Sequence, residues 1–404
     1  MRRVGRLLVG VVGLAVVALA GWSVAIGPVA VWRVLAHGTT TVWDHSEYPG
    51  RELHPSPHPD PWPVAAEPMQ PPDVVVDGAP VPLVSLLAGR DTLAFLVIDG
   101  GELAYEWYAP DHRADEPSMV FLVTKSVFSL LLGAAIDDGL IGSVHDLVTV
   151  SVPELAEGGF DAVTLEDLLR MDSHMDYVEN DNPFGIHVEF NYTPNLRAGI
   201  LALQVLDEPD SEFRYKSGDN ALLGFILDRA LGNETITHYL QERLWNPLGA
   251  EGGGMWSTDR EGGSERTWCW LAVTARDLAR FGQLILGQGE WRGEPLVSAG
   301  WLEASFESGF GGDRWPTGYD DSLVVNYGYE WWLTEDARVA IGKAGQYLYV
   351  DPARHMVIVR LGESQGDLGW VDILRQVAEA TDCRPPARSS ARTRRQHAPS
   401  SRER

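Results

Sequence analysis

Runs of apolar residues, and the polar breaks between them, divide this 404-residue chain into segments of different periodicity. Residues 7–32 hold no charged side chain over 26 positions, long enough for a helix to cross a hydrocarbon core. Eight prolines then fall within the nineteen residues 54–72, which forbids a regular helix and predicts an extended spacer. Folded structure is expected to begin near Thr92, where LAFLVIDG and ELAYEWYA flank a turn at Asp99-Gly100-Gly101, the pattern of a β-hairpin. Residues 121–138 have the pattern of a long apolar helix. Over 163–287 helical periodicity dominates, with Thr164 three residues before Asp167 and Thr274 three before Asp277 as N-terminal caps. Strand patterns return at 323–333, 339–350 and 355–361, and a helix over 370–380 closes the sequence of elements.

Strands at both ends around a helical middle predict an α+β fold. Its antiparallel sheet is assembled from the N- and C-terminal parts and flanked by helices, with an all-α lobe at about 140–290 and a site between the two lobes. The expected organisation is residues 1–34 as a membrane anchor or signal segment, 35–84 as a Pro-rich extracytoplasmic linker, 85–381 as the folded domain, and 382–404 as a disordered tail rich in Arg, Ser and Pro. With 45% hydrophobic and 22% charged residues, the chain can build a proper core.

Charge is unevenly placed. The net value is −25, yet residues 1–33 carry four arginines and no acid, and residues 381–404 carry seven arginines against Asp382 and Glu403, so the body between them stands at about −34. That acidity argues against nucleic acid as a partner. Arg2, Arg3 and Arg6 ahead of the apolar run hold that end in the cytoplasm and send the rest out, giving a cell-membrane protein with a single N-terminal pass and an extracytoplasmic domain. A cleavable signal is the competing reading, since Ala18-Leu19-Ala20 resembles a cleavage site, and removal of residues 1–20 would give a secreted protein. The two cysteines, Cys269 and Cys383, imply no disulfide framework, and Cys/His spacings for a metal are absent, so neither metal nor cofactor is expected.

The three lysines, Lys125, Lys216 and Lys343, all lie in segments that could carry chemistry. FLVTKSVFSLLLG puts Lys125 in the first turns of the apolar helix, where burial favours a neutral amine. FRYKSGDNALLGFIL places Tyr215 in a short polar loop that opens another apolar helix, and IGKAGQYLYVDP sets Lys343-Ala344-Gly345-Gln346 at the start of a strand. Taken singly, each has an ordinary structural explanation: a snorkelling lysine, a packed tyrosine, a glycine turn.

In this order and with these neighbours, the segments resemble the serine β-lactamase and penicillin-binding-protein superfamily, most closely class C β-lactamases, esterases of that fold and 6-aminohexanoate-dimer hydrolases. The resemblance spans roughly residues 85–380 and is strengthened by LLRMDSHMDY, RLWNPLGAEGGGMW, TWCWLAVTARDLARFG and NYGYEWWL. It implies a β-lactamase/transpeptidase-like fold, and a cleft that takes a small amide, ester or peptide-like ligand. In such proteins a serine three residues before the motif lysine shares its helical face, so the neutral amine takes the serine's proton. The motif tyrosine joins the proton traffic, and backbone N–H groups stabilise the oxyanion. Carried onto this chain, Lys125 and Tyr215 match the catalytic pair, while Lys343, Gly345 and Gln346 match the substrate-binding element, with Ala344 in place of threonine.

The departure lies three residues before Lys125, where the chain has Leu122 and so no nucleophile. Thr124 and Ser126 sit about 100° round the helix from Lys125, Ser129 shares its face one turn further on, and Ser118 would need an irregular helix start to reach it. An impaired, ligand-binding relative is therefore expected; the alternative is a hydrolase of small amides or esters working through another hydroxyl, or through water activated by Lys125 and Tyr215. A second departure is Ser173-His174 where relatives have Ser-Gly, read as a surface replacement.

Overall fold

A computed structural model describes residues 17–24, 26–38, 40–207, 213–310 and 323–382. Helix α1 (Pro28–His37) and strand β1 (Gly50–Leu53) precede the main sheet, which begins at β2 (Thr92–Asp99) and β3 (Glu102–Tyr108). TLAFLVID is apolar at almost every position, and a strand of that kind needs cover on both faces. It is accordingly interior: the sheet runs β7 (Asn326–Tyr327), β8 (Trp332–Leu333), β9 (Arg338–Gly342), β10 (Gln346–Asp351), β11 (Met356–Gly362), β2, β3, with every pair antiparallel. The two ends of the chain meet where β11 pairs β2, from Met356 opposite Asp99 to Leu361 opposite Ala94.

Alternation along the strands separates two cores. Leu96, Ile98, Leu348, Val350, Val357 and Val359 pack with helices α2 (Val123–Asp137) and α5 (Ala275–Leu286). Phe95, Val97, Tyr347, Tyr349 and Ile358 pack on the other face with Trp370, Leu374 and Val377 of helix α6 (Trp370–Asp382). Between α2 and the C-terminal strands lies the second lobe, which includes α3 (Ile186–Tyr192) and α4 (Ser217–Leu231). Thr164 closes a capping box with Asp167, and Thr274 accepts from the Asp277 N–H at the start of α5, both as expected.

Five expectations need correction. The lobe is not all helix: β1, β5 (Gly254–Ser257), β6 (Leu271–Val273) and β4 (Ser118–Met119) form a small sheet in the order β1-β5-β6-β4. The stretch 323–333 is two short strands around Glu330, whose φ of 65° turns the chain, and 339–350 is likewise two strands joined at Ala344 and Gly345. Nor is 35–84 a free linker: β1 pairs with β5, Trp62 donates to the Arg276 carbonyl, and Val74 and Leu83 are fully buried. Residues 54–72 form no helix, and their apolar side chains and backbone find partners on the domain, with the N–H groups of Ser56, Asp60, Ala65 and Met69 bonding carbonyls of Ala250, Gly249, Leu103 and Ala104. Folded structure therefore begins before Thr92. The basic tail beyond residue 382, Cys383 and the first sixteen residues lie outside the described residues. Among the described residues, no single helix is long and apolar enough to cross a membrane, although Val17–Val24 and Pro28–Ala36 would qualify together, bent by 116°.

Candidate active site

Helix α2 is buried on all sides for most of its length, so the lysine that it carries is buried too, at 1% exposure. Phe121 precedes it at φ 47°, Leu122 is its N-cap residue in αR geometry, and the Lys125 N–H bonds the Leu122 carbonyl at 3.0 Å. Residues 122 and 125 are thereby fixed one turn apart. The Lys125 amine donates to Tyr215 Oη at 2.9 Å and to Ser217 Oγ at 3.1 Å, and lies 4.4 Å from the centre of the tyrosine ring. Tyr215 is held by stacking on Trp332 (5.2 Å, 19° between planes) and by an edge contact with Tyr327.

Burial pushes the Lys125 amine below its ordinary pKa, outweighing the opposing pull of Glu179 and Glu330. Ser217 Oγ passes the chain of hydrogen bonds on to Glu179 Oε1 at 2.8 Å, and the Ser217 N–H donates to Glu179 Oε2 at 2.8 Å. Burial of Glu179 raises its pKa, but His187, Lys125 and the Ser217 N–H more than reverse this and bring it down to about 2. Asn191 accepts indole N–H bonds from Trp268 and Trp270 on its Oδ1, which turns its amide N–H towards His187 Nε2. The other ring nitrogen, Nδ1, lies 3.4 Å from Glu179 Oε2 and 3.0 Å from Tyr177 Oη.

Glu330 lies behind this network at 1% exposure, hydrogen-bonded by Asn220 and Tyr327. Burial pushes its carboxyl up to about 8, with Lys125 pulling partly the other way. A carboxyl whose folded pKa exceeds its unfolded value loses stability as pH rises from the unfolded pKa to the folded one. Glu330→Gln is therefore expected to flatten the fall in stability between about pH 4.5 and pH 8, and to be more stable than the parent at pH 8.5. Urea unfolding at pH 5, 7 and 8.5 checks this; an unchanged pH slope would refute it.

A cleft of about 680 Å³ opens beside the network. Its walls include Leu122, Glu179, His187, Trp270, Cys269 and Lys343; Lys125 and Tyr215 are not among them. Of the residues expected to bind substrate, Lys343 is exposed and reaches the cleft. Gly345 sits in the β9–β10 turn at φ 80°, where a Cβ would come within 2.0 Å of Arg360 Nη1. Gln346 is fully buried, and its amide bonds the Lys343 carbonyl (3.2 Å) and both the carbonyl and N–H of Gly362 (2.6 and 3.2 Å), so its side chain braces the strand ends. Gly342 packs close to the helix start: a Cβ there would stand 3.3 Å from the Leu122 nitrogen.

None of the hydroxyls weighed from the sequence bonds the amine. Thr124 Oγ1 accepts from the Leu271 N–H, Ser126 and Ser129 donate to the carbonyls of Glu330 and Tyr329, and Ser118 is buried in β4. Ser217 does bond it, and its place two residues after Tyr215 was the signal available in the sequence. Glu179 and His187 sit in a loop and a short helix with no such signal. The surface reading of His174 is corrected: it is 2% exposed at φ 54°, so a side chain occupies a left-handed position where glycine is ordinarily easiest.

A β-lactamase family model matches residues 83–381, about three-quarters of the chain. The chain belongs to the β-lactamase family. The 6-aminohexanoate-dimer hydrolase of Paenarthrobacter ureafaciens is 30% identical over 285 residues, covering 67% of this chain and 72% of that one. Among solved structures, a provisionally assigned 6-aminohexanoate-dimer hydrolase from Bacillus anthracis superposes with a TM-score of 0.69 at 21% identity, over 84% of this chain and 94% of that one. A penicillin-binding-protein homologue from Caulobacter crescentus gives 0.56 at 20%, over 72% and 92%. The fold is thus the β-lactamase/transpeptidase-like α+β arrangement read from the sequence, and the chain is a β-lactamase-family hydrolase related to 6-aminohexanoate-dimer hydrolase.

Proposed function

We propose that this β-lactamase-family protein is exported, stays anchored by its N-terminal segment, and uses the cleft to bind a small amide, ester or peptide-like ligand without the family's covalent route. The observation that carries the reading is Leu122: at the start of α2, one turn before Lys125, an apolar side chain meets the cleft where an acyl-enzyme would need an oxygen. The polar lining from Glu179, Asn191 and Lys343 beside Trp268 and Trp270 suits a ligand with an apolar chain and an amide or ester dipole. Saturating the purified protein with a fluorescent penicillin or a fluorophosphonate should leave no stoichiometric covalent adduct by intact mass; one adduct per chain would overturn the reading.

A second reading, hydrolysis by water or by another hydroxyl, is favoured by the hydrogen-bonded run Lys125–Ser217–Glu179, which gives a low-pKa amine an outlet for a proton. It requires turnover of p-nitrophenyl acetate or an amide panel that disappears in Lys125→Ala. Turnover indifferent to that substitution rules it out.

A further inference from the structure

Helix α1 is apolar on both sides. Its inner side, Ala30 and Val31 at 0% and 4% exposure, is set into the domain. Arg33 fastens it by donating to the carbonyls of Tyr192 (3.0 Å), Thr193 (3.3 Å) and Asp259 (2.9 Å). Its outer side carries Val29, Trp32 and Leu35 at 43%, 63% and 61% exposure, spaced three residues apart and hence on one face. On the segment before α1, Trp22 has its ring 5.7 Å from that of Phe184, which is itself 56% exposed. The same helix and the residues after it, through Val34, Gly38 and Thr40, form part of the cleft wall.

We propose that the outer face of α1 rests in the interfacial layer of a lipid bilayer and so holds the cleft at the membrane surface. The inference rests on the anchored reading above and goes beyond it: the uncharged run does not end as a span at residue 32 but turns, and its last part becomes a docked interfacial helix. Continuity with that run, which begins at Leu7, is what commits the occupant to lipid. The chain turns through 116° between Val17–Val24 and α1, with Gly27 at φ 87° in the break. If the first segment stands along the bilayer normal, α1 lies within about 26° of the membrane plane, the posture of an interfacial amphipathic helix. Trp32 on its outer face is the residue type that collects at the headgroup level. A helix is about 10 Å across, so the cleft wall formed by Val34 lies about that far from the lipid. The acidic body makes apolar burial, not charge attraction, the source of contact, so zwitterionic lipid is sufficient.

The test uses the full chain in phosphatidylcholine nanodiscs, with nitroxide labels on Val29→Cys, Trp32→Cys or Leu35→Cys in a Cys269→Ser, Cys383→Ser background. Val150→Cys, at a position 70% exposed on the helical lobe, serves as the aqueous control. Collisions with oxygen relative to a water-soluble nickel complex should be several-fold higher at the three α1 sites than at 150. Equal ratios would overturn the proposal, as would spin–spin broadening between copies at these sites, since that assigns the face to a second chain. Difference quenching by brominated lipid, wild type against Trp32→Phe, gives the same answer without cysteines: a Trp32 signal quenched by bromine supports it, an unquenched one overturns it. Alkaline carbonate extraction separates the two levels. A chain retained in the membrane whose labels sit in water sinks only this inference, whereas a chain released by carbonate sinks the anchored reading and this inference with it.

Discussion

Leu122→Ser is expected to acquire stoichiometric fluorophosphonate labelling that the parent lacks. The αR geometry of residue 122 and the 3.0 Å bond from the Lys125 N–H to its carbonyl place positions 122 and 125 one turn apart on a single face. Lys125 is buried, which lowers its pKa and makes the neutral amine easier to reach than for an exposed lysine; in that form it accepts the hydroxyl proton as the oxygen bonds phosphorus and fluoride leaves. Among the described residues the Leu122 N–H has no acceptor, and it stays in place whatever the side chain; a single oxyanion donor is worth about 10²-fold or more in rate. Leu122 is only partly buried, so losing its apolar surface costs about 1 kcal/mol. Intact-mass analysis after probe treatment reads the result, and Leu122→Ser combined with Lys125→Ala should lose the label. A folded Leu122→Ser protein inert to every serine-directed probe would mean that the surroundings no longer support acylation.

Arg360→Met is expected to be strongly destabilising. The guanidinium is fully buried and donates to the carbonyls of Gly345 (2.6 Å), Arg90 (2.8 Å) and Ser364 (3.2 Å) and to Thr92 Oγ1 (3.1 Å), with Trp370 stacked 3.8 Å away. Burial lowers its pKa to about 9, yet among the described residues no carboxylate is hydrogen-bonded to it: its work is to satisfy carbonyls around the β9–β10 turn. Methionine keeps much of the volume but strands those acceptors. At about 1–3 kcal/mol for each one left unpaired, the loss should reach about 3 kcal/mol or more. Thermal melting should show a Tm lower by roughly 6 °C or more. Because Gly345 leans on the same guanidinium, the Lys343 side of the cleft should loosen as well, seen as faster amide exchange at 343–346. A variant melting within a degree of the parent would show that water replaces these donors without loss.

The apolar periodicity marked out the elements where burial leaves a strong trace. The hairpin at Thr92–Asp99 and Glu102–Tyr108, the buried helix Val123–Asp137 and the closing helix Trp370–Asp382 all lie within a few residues of their expected places. Periodicity failed at tight reversals. The 323–333 and 339–350 patterns run on through Glu330 and Ala344, because apolar residues flank each turn on both sides and neither turn contains a proline. The Pro-rich stretch was misjudged for a different reason: proline dictates how the backbone runs, not what it rests upon.

The sequence by itself determined which residue types stand at the positions of the family resemblance. Lys125, Tyr215 and the Lys343–Gln346 element stand in family order, and Leu122 three residues before Lys125 is a local fact, since an i,i+3 relation on one helix needs nothing beyond helical geometry. Only the tertiary structure decided what surrounds them. Ser217 and Glu179 are 38 residues apart along the chain, and Lys125 and Ser217 are 92 apart, so their contacts come from tertiary packing, within the helical lobe for the first pair and between that lobe and α2 for the second, and leave no periodicity to read. The same holds for Gln346, whose amide serves the strand ends, for His174, which is buried at a left-handed turn, and for α1, which joins the cleft wall. Each outcome depends on which long-range surface is nearest to satisfy a polar group or cover an apolar one, and that is settled when the whole chain closes on itself.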